Sequence, residues 1–89
     1  MILQRRVEAA FSADKTQVVI SSSGREPEYI ALSPKSVAWW STLLDAHAKG
    51  GDIYFYDSDE RDWKGLAGSR GYILIRDGHP VESVLTFRN

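Results

Sequence analysis

The sequence predicts a mainly β domain with a single helix, an α+β chain in the order β-β-β-α-β-β(-β), folded as a small Greek-key barrel. Three observations carry this expectation. Apolar residues alternate with polar ones in several short runs, one central segment has helical periodicity between proline and glycine, and turn-forming residues separate the pieces.

Residues 3–13 place Leu3, Val7, Ala9, Phe11 and Ala13 on one parity, with Gln4, Arg6, Glu8 and Ser12 on the other. That is the pattern of a half-buried strand, with Arg5 as the exception. "ADKT" (13–16) reads as a tight turn and "QVVIS" (17–21) as the β-branched return strand. "SSGREP" (22–27) is a loop, and "EYIAL" (28–32) resumes a strand.

Ser33 offers an N-cap oxygen, Pro34 suits the first helical position, and Gly50 stands where a left-handed residue ends a helix, so a helix is predicted over 34–49. Val37, Trp40, Leu44 and His47 form a stripe facing the sheet, with Leu43 beside them. Trp40 is therefore core. Trp39 lies about 100° round the helix, where it either seals the edge of the core or protrudes.

"DIYFYD" (52–57) alternates Ile53 and Phe55 with Tyr54 and Tyr56, and "GYILIR" (71–76) meets "PVESVLTFR" (80–88) across the turn "DGH". Residues 58–71 form a long connection, and loops of that length are often functional. Short strands that bury one face, with one helix as plug, point to an OB-like barrel, the oligonucleotide/oligosaccharide-binding type. An open α+β sheet is the competing reading.

With 89 residues the chain reads as one domain that buries only about 60–65% of its unfolded surface, so a partner subunit would add stability. Its 43% apolar and 26% charged residues are those of an ordinary globular protein. The net charge of −1, with acids and bases interspersed, argues against nucleic-acid binding by bulk electrostatics. No cysteine is present, which excludes disulfides, a thiol nucleophile and Cys-ligated zinc. "MILQRRVEAAF" lacks the apolar run of a signal peptide and no window approaches a membrane span, so a cytoplasmic location is expected.

The segment "WWSTLLDAHAKGGDIYFYD" resembles the helix-to-strand signature of bacterial toxin B subunits of the pertussis and subtilase kind, through Leu43, Leu44, Ala46, Gly50, Ile53 and Phe55. The closing "GYILIRDGHPVESVLTFRN" is similar to that family's final hairpin, so the resemblance covers roughly the C-terminal half. It implies an oligonucleotide/oligosaccharide-binding barrel assembled as a ring of five that binds cell-surface glycans. The missing signal peptide and cysteines depart from that pattern, and no glycan-binding residue of the family can be matched to this chain.

"DSDERD" places Asp57, Asp59 and Asp62 close together, but a calcium loop needs glycine at its sixth position and glutamate at its twelfth, where Asp62 and Gly68 stand. A solvated acidic loop is expected, with no metal. His47 and His79 have no partner at a known catalytic spacing, so neither a catalytic residue nor a cofactor is assigned. "GLAGSRG" (65–71) offers glycines with Ser69 and Arg70 to an anion, and "SSSGR" (21–25) offers Arg25 in the same way; a flexible loop is the plainer reading of each. Trp63, with Lys64 beside it, either tucks over the barrel or meets a partner. Tyr54 and Tyr56 face outward or toward a neighbouring subunit.

The expected function is a non-enzymatic, homo-oligomeric binding domain recognising a glycan, another small polar ligand or a protein surface. Ligand contacts are expected from Trp63, Lys64, Ser69, Arg70 and Arg25, and subunit contacts from Tyr54, Tyr56 and Trp39. The alternative is a small cytoplasmic inhibitor, an immunity or phage counter-defence protein that sequesters a protein or nucleotide-like ligand.

Overall fold

A computed structural model describes residues 2–58 and 68–88. The elements are β1 (Ile2–Phe11), β2 (Gln17–Ser21), β3 (Glu28–Ala31), α1 (Pro34–His47), β4 (Asp52–Asp57), β5 (Ser69–Arg76) and β6 (His79–Arg88). The strands form a six-stranded antiparallel sheet in the order β3-β2-β1-β4-β5-β6. Among the described residues the chain is thus mainly β with one helix, as its patterning predicts.

The expected barrel does not close. β3 and β6 are the two edges of the sheet and do not pair with each other among the described residues. β3 has four residues, held between Pro27 and the Ser33-Pro34 helix start, which leaves little edge to pair with. Arg5, Arg25, Glu28, Asp57 and Arg70 also line the space between these edges, and a closed seam would have to desolvate them.

β1 is shared end to end: residues 2–7 pair with β4, and residues 8–11 pair with β2. A register shift between Leu3 and Arg5 re-aims the side chains. Leu3, expected on the buried parity, is exposed and stands across from Tyr56, whereas Arg5 stands across from Phe55 on the side of the core. The core gathers Val7, Val18, Ile20, Ile53, Tyr72, Leu74 and Val84 from both halves of the sheet and closes them with Trp40 and Leu43 of the helix.

The helix starts where expected. Ser33 Oγ accepts from Ser36 N at 3.2 Å and Pro34 fills the first turn. It ends at His47, slightly before the expected 49, and Gly50 has φ 117°. Arg76 of β5 fastens this end, donating from Nε to Gly50 O at 3.2 Å and from a terminal nitrogen to Ala46 O. The last turn of the helix, through Ala46 O, thereby gains a cation. Trp39 is 53% exposed and protrudes, while Trp40 is 1% exposed.

The first hairpin turns at Ser12–Thr16, where Asp14 Oδ1 accepts from Thr16 Oγ1 (2.7 Å), Ser12 Oγ (2.9 Å) and Thr16 N (3.1 Å). These bonds, the Thr16 hydroxyl first, hold the Asp14 carboxyl below its ordinary pKa. The last hairpin uses only Asp77 and Gly78, with φ of 52° and 78°, so His79 belongs to the strand rather than to the expected turn. Two positive φ values in a two-residue loop match the right-handed twist of the flanking strands.

Candidate functional site

A groove of about 580 Å³ lies between β3 and the β4-β5-β6 side of the sheet. Its charged lining comes from five places in the chain: Arg5 from β1, Arg25 from the β2–β3 loop, Glu28 from β3, Asp57 from β4 and Arg70 from β5. Phe55, Tyr72 and Tyr29 supply aromatic surface, and Thr86 of β6 completes the far wall.

An aromatic ladder supports the floor. Trp40 packs on Tyr72 with ring centroids 5.4 Å apart, and Tyr72 packs on Phe55 at 5.5 Å. The Arg5 guanidinium carbon lies 4.4 Å from the Phe55 ring centre, a cation–π contact that ties the groove to the core. Burial raises the Tyr72 hydroxyl pKa and the Glu28 carboxylate raises it further, while Arg5 and Arg25 oppose the shift.

Arg5 donates from a terminal nitrogen to Glu28 Oε1 at 3.3 Å, and an Arg25 terminal nitrogen stands 4.0 Å from the same oxygen. Arg5 Nε is shielded from solvent and has no hydrogen-bond partner among the described residues. Arg70 Nε donates to Asp57 Oδ2 at 3.2 Å, across directly paired strand positions. Among the described residues, three arginines and two carboxylates line the groove. Such a site can hold an anion beside aromatic surface.

The groove brings together two of the ligand contacts expected from the sequence, Arg25 and Arg70, and adds Asp57 of the acidic "DSDERD" run. Arg70 lies in β5 rather than in a loop, because the strand begins at Ser69. Ser69 is also in the strand, where it serves the ladder: its N donates to Ser58 Oγ at 2.7 Å, and Ser58 N donates to its carbonyl at 3.0 Å. Trp63 and Lys64 lie outside the described residues. Trp39 stands on the exposed side of the helix, away from the groove lining.

The tyrosines of β4 alternate with its core residues as expected, but they are not both exposed. Tyr56 is 7% exposed, with its hydroxyl close to Gly71 and hydrogen-bonded to the Ser69 side chain, and burial raises its pKa. Tyr54 is half-buried, across from Ile73 and Arg6. The outward tyrosine pair is therefore reduced to a half-buried Tyr54.

Arg5, Glu28, Tyr29, Phe55, Tyr72 and Thr86 are site residues that reading the sequence missed. One signal was visible: Arg5 interrupts an apolar parity, the mark of a charge carried toward the inner face. Among the described residues no three His, Cys, Asp or Glu side chains form a metal-binding group, and no helix is long and apolar enough to cross a membrane. Comparison with family models, curated proteins and solved structures finds no match to this chain.

Proposed function

We propose that the protein is a non-enzymatic binding domain whose groove between β3 and β6 holds a small polar ligand bearing negative charge. The observation that carries this reading is the convergence of Arg5, Arg25 and Arg70, from three separate elements, beside Phe55, Tyr72 and the 63%-exposed Tyr29. Guanidinium forks hold oxyanions by paired charge-assisted hydrogen bonds, and aromatic faces hold rings. A glycan fits the toxin-subunit resemblance. An inhibitor or counter-defence protein that sequesters a nucleotide-like ligand would use the same groove, and the two roles differ in which molecule co-purifies.

Native mass spectrometry of gently purified protein, followed by amide NMR titration with a panel of small anions and oligosaccharides, tests the proposal. Shifts should cluster at Arg5, Arg25, Glu28–Ile30, Phe55–Asp57 and Arg70–Tyr72. Arg70→Ala should weaken binding of a charged ligand by about 1.5–3 kcal/mol, the range for hydrogen bonds to charged groups, with little change in thermal stability. Shifts scattered over the surface would move the site elsewhere.

Assembly with copies of itself is a second reading, favoured by the exposed Trp39 and by an apolar row on the outer face. Register places Leu3, Tyr56, Gly71 and Leu85 side by side across four strands, and Leu3 and Leu85 are exposed. Light scattering at micromolar concentration should give a mass above that of one 10.0 kDa chain. A monomer would remove this reading and leave the groove untouched.

A further inference from the structure

We infer that the anion subsite of the groove takes a phosphate monoester carried on a ring-bearing molecule, a nucleotide or a sugar phosphate, and that the Glu28 carboxylate is its resident stand-in. The inference rests on the reading of the groove as the ligand site and goes on to name the ligand's chemistry. It starts from a mismatch between donors and acceptors. Arg5 and Arg25 both turn to one oxygen, Glu28 Oε1, at 3.3 and 4.0 Å, whereas a charge-assisted N–H···O bond settles near 2.7–2.9 Å. A single carboxylate oxygen does not satisfy both guanidinium groups, and Arg5 Nε adds a donor with no partner among the described residues.

Glu28 is also easy to displace. Its side chain is 46% exposed on an edge strand, and ion pairs of this kind contribute only about 0–1 kcal/mol. When Glu28 turns to solvent, Arg5 and Arg25 lose the carboxylate they share and present two positive charges to the groove. A phosphate monoester carries about −1.5 to −2 near pH 7, which matches that charge. Its oxygens can serve the two guanidinium groups separately, which the single Glu28 oxygen does not. A second carboxylate would only repeat what Glu28 already provides.

The ring follows from the space and its walls. A volume of about 580 Å³ is far larger than a bare phosphate needs and falls in the range of small-molecule sites. Tyr29 presents a largely exposed ring at the rim, and Phe55 and Tyr72 line the interior, so a base or sugar next to the phosphate finds surface to stack on.

Titration calorimetry with AMP, glucose 6-phosphate, inorganic phosphate, adenosine and glucuronate, on the wild type, Glu28→Gln and Arg25→Ala, tests the inference. Both altered side chains are exposed, and amide spectra check that each variant folds. At least one ring phosphate should bind more tightly than inorganic phosphate and adenosine. Glu28→Gln should tighten that binding about three- to tenfold by removing the resident competitor, and Arg25→Ala should weaken it about tenfold or more. Unchanged or weaker binding in Glu28→Gln overturns the stand-in role. Inorganic phosphate binding as tightly as AMP and glucose 6-phosphate overturns the ring. Glucuronate shifting the groove amides while both ring phosphates fail overturns the phosphate assignment and leaves the groove standing. Groove amides that respond to none of these anions overturn the groove as well.

Discussion

Trp40→Ala should lower folding stability by about 3–5 kcal/mol, the cost of truncating a large buried aromatic without refilling its space. Trp40 is 1% exposed and, with Leu43, is one of the two fully buried helix residues, so it is the main tie between the helix and the sheet. Small domains have only about 5–15 kcal/mol in all, and the variant therefore stands near the limit of folding. The damage would also reach the site: Trp40 supports Tyr72, Tyr72 supports Phe55, and Phe55 carries Arg5. Trp39→Ala removes a ring that is 53% exposed and should cost about 1 kcal/mol or less. Urea denaturation of the two variants measures the contrast, and equal losses would contradict the helix face described above.

The same pair of tryptophans shows what was legible in the sequence. The apolar stripe identifies Trp40 as core by spacing alone, and the helix start is written in Ser33 and Pro34 because capping is a local interaction. Trp39 sits at the flank of the stripe, where the angular position does not decide between sealing and protruding; only the packed sheet decides. The failure of the barrel to close has the same origin. Whether β3 meets β6 depends on strand length, on where the helix lies and on charges brought together from distant parts of the chain, none of which is a local pattern.

The groove follows this division. Arg25 and Arg70 were visible as arginines among turn-forming residues, but their meeting is a product of sheet order. Arg5 was visible as an exception in an apolar run, yet the shift between Leu3 and Arg5 sets its direction, and such a shift appears only when β1 is aligned with β4. Phe55 reads as an ordinary core residue and Tyr72 only as part of a strand; in the structure both rings belong to the ladder and also line the groove. Residues doing both are not distinguishable from core by alternation.

Gly71→Ala should be the second severe variant, at the upper end of the roughly 1–3 kcal/mol typical of overpacking. A Cβ at Gly71 would stand 2.2 Å from Val84 O and 3.1 Å from both Leu85 Cα and the Tyr56 hydroxyl. The nearest atom is a backbone carbonyl, which cannot rotate aside as a side chain can, so β6 itself must move. The site is also where the β5–β6 register shifts, between Arg70 and Gly71, and where Thr86 Oγ1 donates to Arg70 O at 3.1 Å across that irregularity. Displacing β6 strains this bond and the buried Tyr56 hydroxyl together, while Arg70 and Tyr72 on either side carry the disturbance into the groove. The expected result is a lower urea midpoint with an unchanged slope, accompanied by amide shifts at Arg70, Tyr72 and Val84–Thr86. A midpoint equal to the wild type's would mean that β6 does not cross β5 as closely as the structure places it, and the far wall of the groove would then have to be redrawn.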